Sequence, residues 1–188
     1  MKRPLKPGVS GSARFVTCDG VQVARLRLDR WWDVATIDGR PSMAWRPLVM
    51  IGINPSDAGG DEDDNTSAKF ETFARREGAT GTVIVNIHPA ISKDPDAIGD
   101  ILLPYGCDDD NWEAVDAALC ENAVAIVAAM GKPPKGLSSY RDRVARLKRI
   151  AADVGVPLMC FGTNGDGSPK HPLYLPNATP IVPWWRSR

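Results

Sequence analysis

The residues most suggestive of chemistry follow a short apolar run. Residues 48–53 read LVMIGI, and Asn54, Pro55 and Ser56 come directly after them. An amide and a hydroxyl in this position can orient a water molecule or hold the polar edge of a ligand, and the proline stiffens the loop. The same residues also suit an ordinary turn, because asparagine side chains bond their own backbone two residues on. The sequence leaves both interpretations open.

A second polar cluster lies just downstream. It consists of five carboxylates within eight residues, namely Asp57, Asp61, Glu62, Asp63 and Asp64. Carboxylate oxygens are suitable ligands for Mg²⁺ or Ca²⁺, but the alternating pattern of a calcium-binding loop is absent. Acidic residues also stabilise the start of a helix. We therefore assign no metal site, and keep a metal-dependent hydrolase built on residues 61–64 as a further hypothesis.

The chain has two histidines, His88 and His171, and each precedes a proline. Neither belongs to a zinc-binding pattern. The sequence KHPLYLP around His171 is loop-like, so its imidazole can face an anionic or electron-rich group. No nucleophile elbow, Walker loop or dinucleotide fingerprint is present, which disfavours serine catalysis, ATP and NAD. We predict no cofactor.

The composition is that of one globular domain. The chain has 188 residues, 43% of them hydrophobic, and a formal net charge of zero. A neutral chain argues mildly against tight, nonspecific binding to nucleic acid and slightly favours a small nucleotide. Four scattered cysteines without a CxxC pair fit reduced thiols. No apolar run approaches the ~20 residues of a membrane span, so we expect a cytoplasmic protein with no membrane partner.

The hydrophobic pattern predicts the elements that would position these residues. Strands are predicted at 14–17, 22–28, 48–53, 82–87, 123–129 and 156–161, and helices at 66–76, 110–121 and 140–154. Caps are expected at Thr66 or Ser67 for the first helix and at Asp110 or Asn111 for the second. Tryptophans occur in two pairs, Trp31-Trp32 and Trp184-Trp185, and in a strand one ring of each pair would face outward. Such residues more often pack the ends of a domain.

From residue 48 onward, strands alternate with helices. This order predicts an α/β fold, with three αβα layers around a mostly parallel central sheet. We expect a single domain over 1–188, with residues 1–12 flexible, an N-terminal β arm over 13–47 and the α/β core over 48–188. In such sheets the ligand lies at the carboxyl ends of the strands.

Several motifs resemble a known family. They are GINPSDA at a strand end, the residues Asp63 to Thr66 before a helix, and HPLYLP followed by VPW. Together they resemble the bacterial and phage domain-of-unknown-function family 1643, over about Arg30 to Trp185. Asn65 stands where this family is expected to have proline. The family name implies no activity.

A more distant resemblance implies a mechanism. Gly52 to Pro55 is similar to the G-I-N-P-G motif of the mismatch-specific branch of the uracil-DNA glycosylase superfamily, with Ser56 in place of the last glycine. His171 and Pro172 stand where that superfamily has His-Pro-Ser, with Leu173 replacing the serine. The resemblance implies that Asn54 positions a water and that His171 stabilises the departing base. It also implies a base-reading role for Asn86.

We therefore predict a protein that binds or acts on a nucleobase in DNA or in a nucleotide, with N-glycosidic hydrolysis by a water that Asn54 positions. The alternative is a non-catalytic nucleotide-binding or nucleic-acid-binding module on the same fold. The predicted catalytic residues are Asn54, His171 and Asp57. The predicted substrate-binding residues are Gly52, Ile53, Pro55, Ser56, Asn86, His88, Asn164 and Tyr174. The sequence does not determine the oligomeric state.

Overall fold

A computed structural model describes residues 2–37, 39–42, 44–56 and 58–185. Its strands are β1 (Arg3–Pro4), β2 (Ser10–Cys18), β3 (Val21–Trp31), β4 (Thr36–Ile37), β5 (Arg40–Pro41), β6 (Pro47–Gly52), β7 (Glu62–Asp63), β8 (Gly81–Asn86), β9 (Ala125–Ala128), β10 (Leu158–Cys160) and β11 (Val182–Trp185). Its helices are α1 (Asn65–Arg76), α2 (Cys107–Leu119) and α3 (Tyr140–Val154), with 3₁₀ turns at Pro95–Asp100 and Pro172–Tyr174. The chain is therefore a mixed α/β protein.

The central sheet has seven strands in the order β11-β10-β9-β6-β8-β3-β2. The four inner strands β10, β9, β6 and β8 pair in parallel. The pairings of β11 with β10, β8 with β3 and β3 with β2 are antiparallel. The sheet is thus mixed rather than mostly parallel.

The antiparallel pairing at the β2 edge has a local cause. β2 and β3 form a hairpin whose turn residues Asp19 and Gly20 both have positive φ, 49° and 78°. Such a turn requires antiparallel strands, whereas parallel neighbours need a crossover connection. The segment expected as an N-terminal arm is part of the sheet, because β3 pairs with β8 through residues such as Leu28 opposite Ile84.

The two inner strands β6 and β8 are buried along their whole length. Their side chains alternate between two hydrophobic clusters. Val49 and Ile51 belong to the cluster that contains residues of α2 and α3. Leu48 and Met50 belong to the other cluster, which contains Phe70 and Phe73 of α1. Burial on both faces explains why these strands read as continuous apolar runs.

Two of the three helices differ from the predictions at their starts. Asp64, rather than Thr66 or Ser67, is the N-cap of α1, and it accepts a hydrogen bond from the Ser67 amide. Helix α2 begins at Cys107, earlier than predicted, after Gly106 in the left-handed region. Helix α3 has the predicted bounds and ends at Gly155, whose φ is 79°. Asp64 takes the cap because its side chain reaches both Ser67 groups in a reciprocal capping box.

Both chain ends contribute strands. β1 pairs with β7, which fixes residues Arg3 and Pro4 against Glu62 and Asp63. The loop-rich tail ends in β11. The expectation that one tryptophan of each pair faces outward is wrong for Trp31 and Trp32, which are both buried. No helix of the described residues is long and apolar enough to cross a membrane.

Candidate functional site

A cavity of about 280 Å³ lies at the carboxyl ends of β6, β8 and β9. We call it the edge cavity. It is lined by Arg25, Gly52, Ile53, Asn54, Ser56, Thr66, Phe70, Ile84, Asn86, Met130, Gly131, Lys132 and His171. This volume is at the small end of ligand pockets, which span roughly 300–1,000 Å³ for drug-sized molecules. It suits one ring-sized group better than a dinucleotide cofactor.

Asn54 holds its amide in a fixed orientation in the edge cavity. Its Nδ2 donates to the backbone oxygen of Ser92 at 2.9 Å and to that of Pro55 at 3.2 Å. Its Oδ1 accepts no hydrogen bond from the described residues. Because both amide protons are engaged, Oδ1 is the atom that remains to accept a hydrogen bond from a water or ligand. The side chain therefore ties two loops together, and it does not make the local turn that the sequence also allowed.

Asn86 brings a second amide to the same cavity. Its side chain is 3% exposed, and among the described residues its Nδ2 has no hydrogen-bond partner. Its backbone oxygen accepts from Nδ2 of Asn111 at 3.0 Å. A buried amide without a partner is costly unless a ligand or water satisfies it.

Gly52 is what allows Asn86 to enter the edge cavity. A Cβ on Gly52 would lie 2.5 Å from Oδ1 of Asn86, closer than real Cβ contacts. The glycine that opens the motif GINPS is thus required by the neighbouring strand. The two strands are in register, with Gly52 opposite Asn86.

His171 enters the edge cavity beside Gly131 in a similar way. A Cβ on Gly131 would lie 3.1 Å from the His171 Cβ, and Gly131 has a φ of +82°. Nδ1 of His171 accepts a hydrogen bond from the Leu173 amide at 3.3 Å. Burial lowers the pKa of His171, against the opposing charge of Asp64. The imidazole is therefore neutral near pH 7, with its proton on Nε2.

Cationic groups lie at two sides of the edge cavity. Arg25 reaches it from β3 and is 3% exposed, and its Nη1 donates to the Ala58 oxygen at 2.9 Å. Lys132 is exposed and follows β9. Burial acts to raise the pKa of Asp64, but hydrogen bonds from Ser56 and Ser67 and the charge of Arg25 outweigh it and lower that pKa. Asp64 is therefore ionised at neutral pH and fixes the Ser56 hydroxyl.

The structure brings six of the predicted site residues together. Those that line the edge cavity are Gly52, Ile53, Asn54, Ser56, Asn86 and His171. Pro55 is buried beside them, and its backbone oxygen accepts from Asn54. Asp57 lies outside the described residues.

Besides Pro55, three described residues among those predicted do not line the edge cavity. His88 is buried near Arg143 and Asp108; burial, followed by the charge of Arg143, lowers its pKa to about 4. Asn164 donates to the Ser168 hydroxyl at 3.0 Å and so holds its own loop. Tyr174 is 90% exposed.

Sequence reasoning did not select several lining residues as site residues. They are Arg25, Thr66, Phe70, Ile84, Met130, Gly131 and Lys132. Gly131 and Lys132 had a usable signal, because they follow a predicted core strand. Arg25 had none, because its strand precedes the alternating core and its approach depends on the antiparallel pairing of β3 with β8.

The segment 59–64, which we call the acidic loop, is held in place by contacts with other parts of the chain. Arg30 is 1% exposed, and its Nε donates to Asp63 at 2.9 Å. Its four other N–H groups donate to the backbone oxygens of Asp29, Gly59, Gly60 and Glu62. Glu62 pairs with Lys2 at 3.1 Å. Within the described ranges, no three His, Cys, Asp or Glu side chains are grouped so that they could hold a metal ion.

Comparison with protein families gives one result that covers most of the chain. The family model described as "Protein of unknown function (DUF1643)" matches residues 25–173. The chain belongs to this family. The matched region begins at Arg25 and ends just beyond His171, so it contains every residue that lines the edge cavity. No curated protein and no solved structure matches the chain.

Proposed function

We propose that this protein hydrolyses the N-glycosidic bond of a nucleobase, in DNA or in a nucleotide, on a three-layer αβα fold related to the uracil-DNA glycosylases. The observation that carries the proposal is the fixed amide of Asn54, whose Oδ1 remains free to accept a hydrogen bond in a ring-sized cavity. The distant likeness of residues 52–55 and 171–172 to glycosylase motifs supports the same activity.

The lining residues suit a bound base. Phe70 supplies an aromatic wall, and aromatic rings stack on bases of any sequence. Asn86 offers an amide to the hydrogen-bonding edge of the base, the group that best matches an adjacent donor and acceptor. The buried amide nitrogen of Asn86 gains its missing partner when the base enters. A base in duplex DNA would have to be flipped out of the stack to reach it.

The reaction needs few groups. Asn54 Oδ1 accepts a hydrogen bond from a water, whose oxygen forms a bond to the anomeric carbon. The bond from that carbon to the base nitrogen breaks, and its electron pair leaves with the base. The neutral His171 donates a hydrogen bond from Nε2 to the developing negative charge. The water loses its proton to solvent, because an amide is too weak a base to take it, and we therefore expect a modest rate.

Base release from defined substrates tests the proposal. The substrates are single-stranded and duplex DNA carrying uracil, mismatched or modified bases, with free nucleotides in parallel. We expect Asn54→Ala to lower the rate of release by about 10²-fold or more, because the water loses its positioning group. Circular dichroism establishes that the variant is folded.

Asn177→Ala is the matched control, since it removes an exposed amide, whose Oδ1 accepts from Lys69, from a loop outside the edge cavity. We expect it to release base at the wild-type rate. Binding by the wild type without release would show the non-catalytic alternative, a reader of bases on an enzyme-like fold. A wild type that neither binds nor releases base would refute the proposal.

A further inference from the structure

A second cavity, of about 530 Å³, lies next to the edge cavity. We call it the α3 groove. Its walls come from the loop after β9, helix α3 as far as Lys148, residues 166–168 and the last strand. Among its lining residues are Tyr140, Arg141, Lys148, Asp166, Gly167 and Trp184. None of the predicted site residues lines it.

The α3 groove and the edge cavity share the same two loops. Lys132 lines the edge cavity, and the next residue, Pro133, lines the α3 groove. The backbone N–H of Gly131 donates to the Pro169 oxygen at 2.8 Å, which ties the loop after β9 to the loop that leads to His171. Hydrogen bonds from Ser168 lower the pKa of Asp166, and the charge of Lys132 adds to the effect.

The α3 groove contains an oriented tryptophan. Trp184 donates from Nε1 to the Gly167 oxygen at 3.3 Å, and its ring is half-buried. Lys148 Nζ lies 4.7 Å from the centroid of this ring. Tyr140 lines the groove as well, and burial, with a smaller contribution from Asp166, raises its pKa to about 12, so that its hydroxyl stays protonated. Two aromatic side chains thus line one groove beside a cation.

Helix α3 supplies the groove with positive charge. It carries five basic and two acidic residues. Arg143 is engaged with Asp108 at 2.7 Å, and Arg146 lies over the Trp112 ring on the side facing α2. Arg141 and Lys148 form no ion pair with any described carboxylate. These two cations remain available to an anionic ligand, whereas the charge of the whole chain is zero.

We propose that the α3 groove binds a stretch of single-stranded nucleic acid that continues from the base held in the edge cavity. Trp184 stacks on an unpaired flanking base, and Arg141 and Lys148 contact the phosphates. Interleaved aromatic and cationic side chains along a groove are the usual means of holding single strands, and a recessed ring can stack only on a base that is free of its partner. The inference rests on the proposed function, because that function places the adjoining base.

Fluorescence anisotropy tests this with fluorescein-labelled 12-nucleotide single-stranded DNA and RNA of mixed sequence. We expect Trp184→Ala to weaken binding by roughly 5- to 150-fold, the equivalent of ~1–3 kcal/mol for one stacked base. We expect the double variant Arg141→Ala/Lys148→Ala to weaken binding and to reduce the slope of log K against log salt by about 0.7 for each lost phosphate contact. The salt slope counts phosphate contacts, so it stays unchanged in a variant that only disturbs the structure.

Arg149→Ala is the matched control on the same helix, because Arg149 lines a different cleft with residues of α2. It should bind the strand as the wild type does, with an unchanged salt slope. Equal losses of affinity in Arg149→Ala and in the double variant Arg141→Ala/Lys148→Ala would overturn the inference, as would a wild type that binds a mononucleotide as tightly as the 12-mer. Should Trp184→Ala fail to fold, the double variant decides by itself.

The outcomes separate this inference from the proposed function. If base release depends on Asn54 but the groove variants bind like the wild type, strand binding by the α3 groove is refuted and the proposed function is left intact. Strand binding that depends on Trp184, Arg141 and Lys148, without any base release, would support the groove and refute the chemistry.

Discussion

The acidic loop and the edge cavity are both rich in polar groups, yet they differ in how those groups are satisfied. In the acidic loop, all five N–H groups of the buried Arg30 donate to Asp63 or to backbone oxygens. In the edge cavity, Asn86 Nδ2 is buried without a hydrogen-bond partner among the described residues, and Asn54 lines the cavity with only its Nδ2 engaged. A satisfied buried network stabilises a loop, whereas unsatisfied groups beside a cavity are free for a ligand.

The largest effect is expected from breaking the acidic loop. Arg30→Ala leaves Asp63 and three backbone oxygens of residues 59–62 without their donor, in a place where Arg30 is 1% exposed. Removing one partner of a buried pair typically costs about 3–5 kcal/mol in the free energy of unfolding. Urea denaturation measures it, with Asn54→Ala as the comparison. A larger loss of unfolding free energy in Asn54→Ala than in Arg30→Ala would contradict the difference between the two regions.

The two histidines also differ, because His171 lines the edge cavity and His88 does not, and His88 predicts a pH dependence of stability. Burial and the charge of Arg143 lower the pKa of His88 to about 4 in the folded protein, against about 6.5 in the unfolded chain. The unfolded chain takes up this proton first as pH falls, so the free energy of unfolding decreases between about pH 6.5 and pH 4, by on the order of 3 kcal/mol.

His88→Gln should flatten that slope and leave base release unchanged. His171→Gln should lower base release, because it removes the donor to the leaving base. Denaturation at several pH values, together with turnover at neutral pH, measures both effects. An unchanged stability slope in His88→Gln would show that other groups cause the acid sensitivity.

A smaller effect is expected where glycine makes room for an amide. Gly52→Ala places a Cβ against Oδ1 of Asn86, and such overpacking costs about 1–3 kcal/mol. We expect weaker base binding as well, because Asn86 must move. Gly165→Ala is the control, since a Cβ there meets nothing within 4 Å and its φ is not positive. Equal binding by both variants would argue against a role for Asn86.

The smallest effect is expected from divalent cations. Glu62, Asp63 and Asp64 are engaged with Lys2, Arg30 and the start of α1, so millimolar MgCl₂ or CaCl₂ should leave the melting temperature unchanged. Isothermal calorimetry provides a second measurement. Saturable heat with either ion, together with turnover that EDTA abolishes, would restore the metal-dependent hydrolase as the better hypothesis.

Sequence patterns alone determined the inner strands and placed Asn54 at the end of one of them. Continuous apolar runs marked β6 and β8, because strands buried on both faces exclude polar residues. The amide at 54 followed such a run, and the structure places it in the edge cavity. Helix α3 was predicted with its bounds, since its apolar periodicity and the glycine at 155 are local signals.

Tertiary structure decided what depends on distant residues. The hairpin pairing of β2 with β3 has a local turn signal at Asp19 and Gly20, whereas the pairing of β3 with β8 and the return of β11 beside β10 have none. Arg25 joins the edge cavity only because β3 lies beside β8. The acids at 63 and 64 differ in role because Arg30 meets one of them while the other caps α1. Residue types specify which hydrogen bonds a side chain can make, whereas the packing of the chain determines which partners it finds.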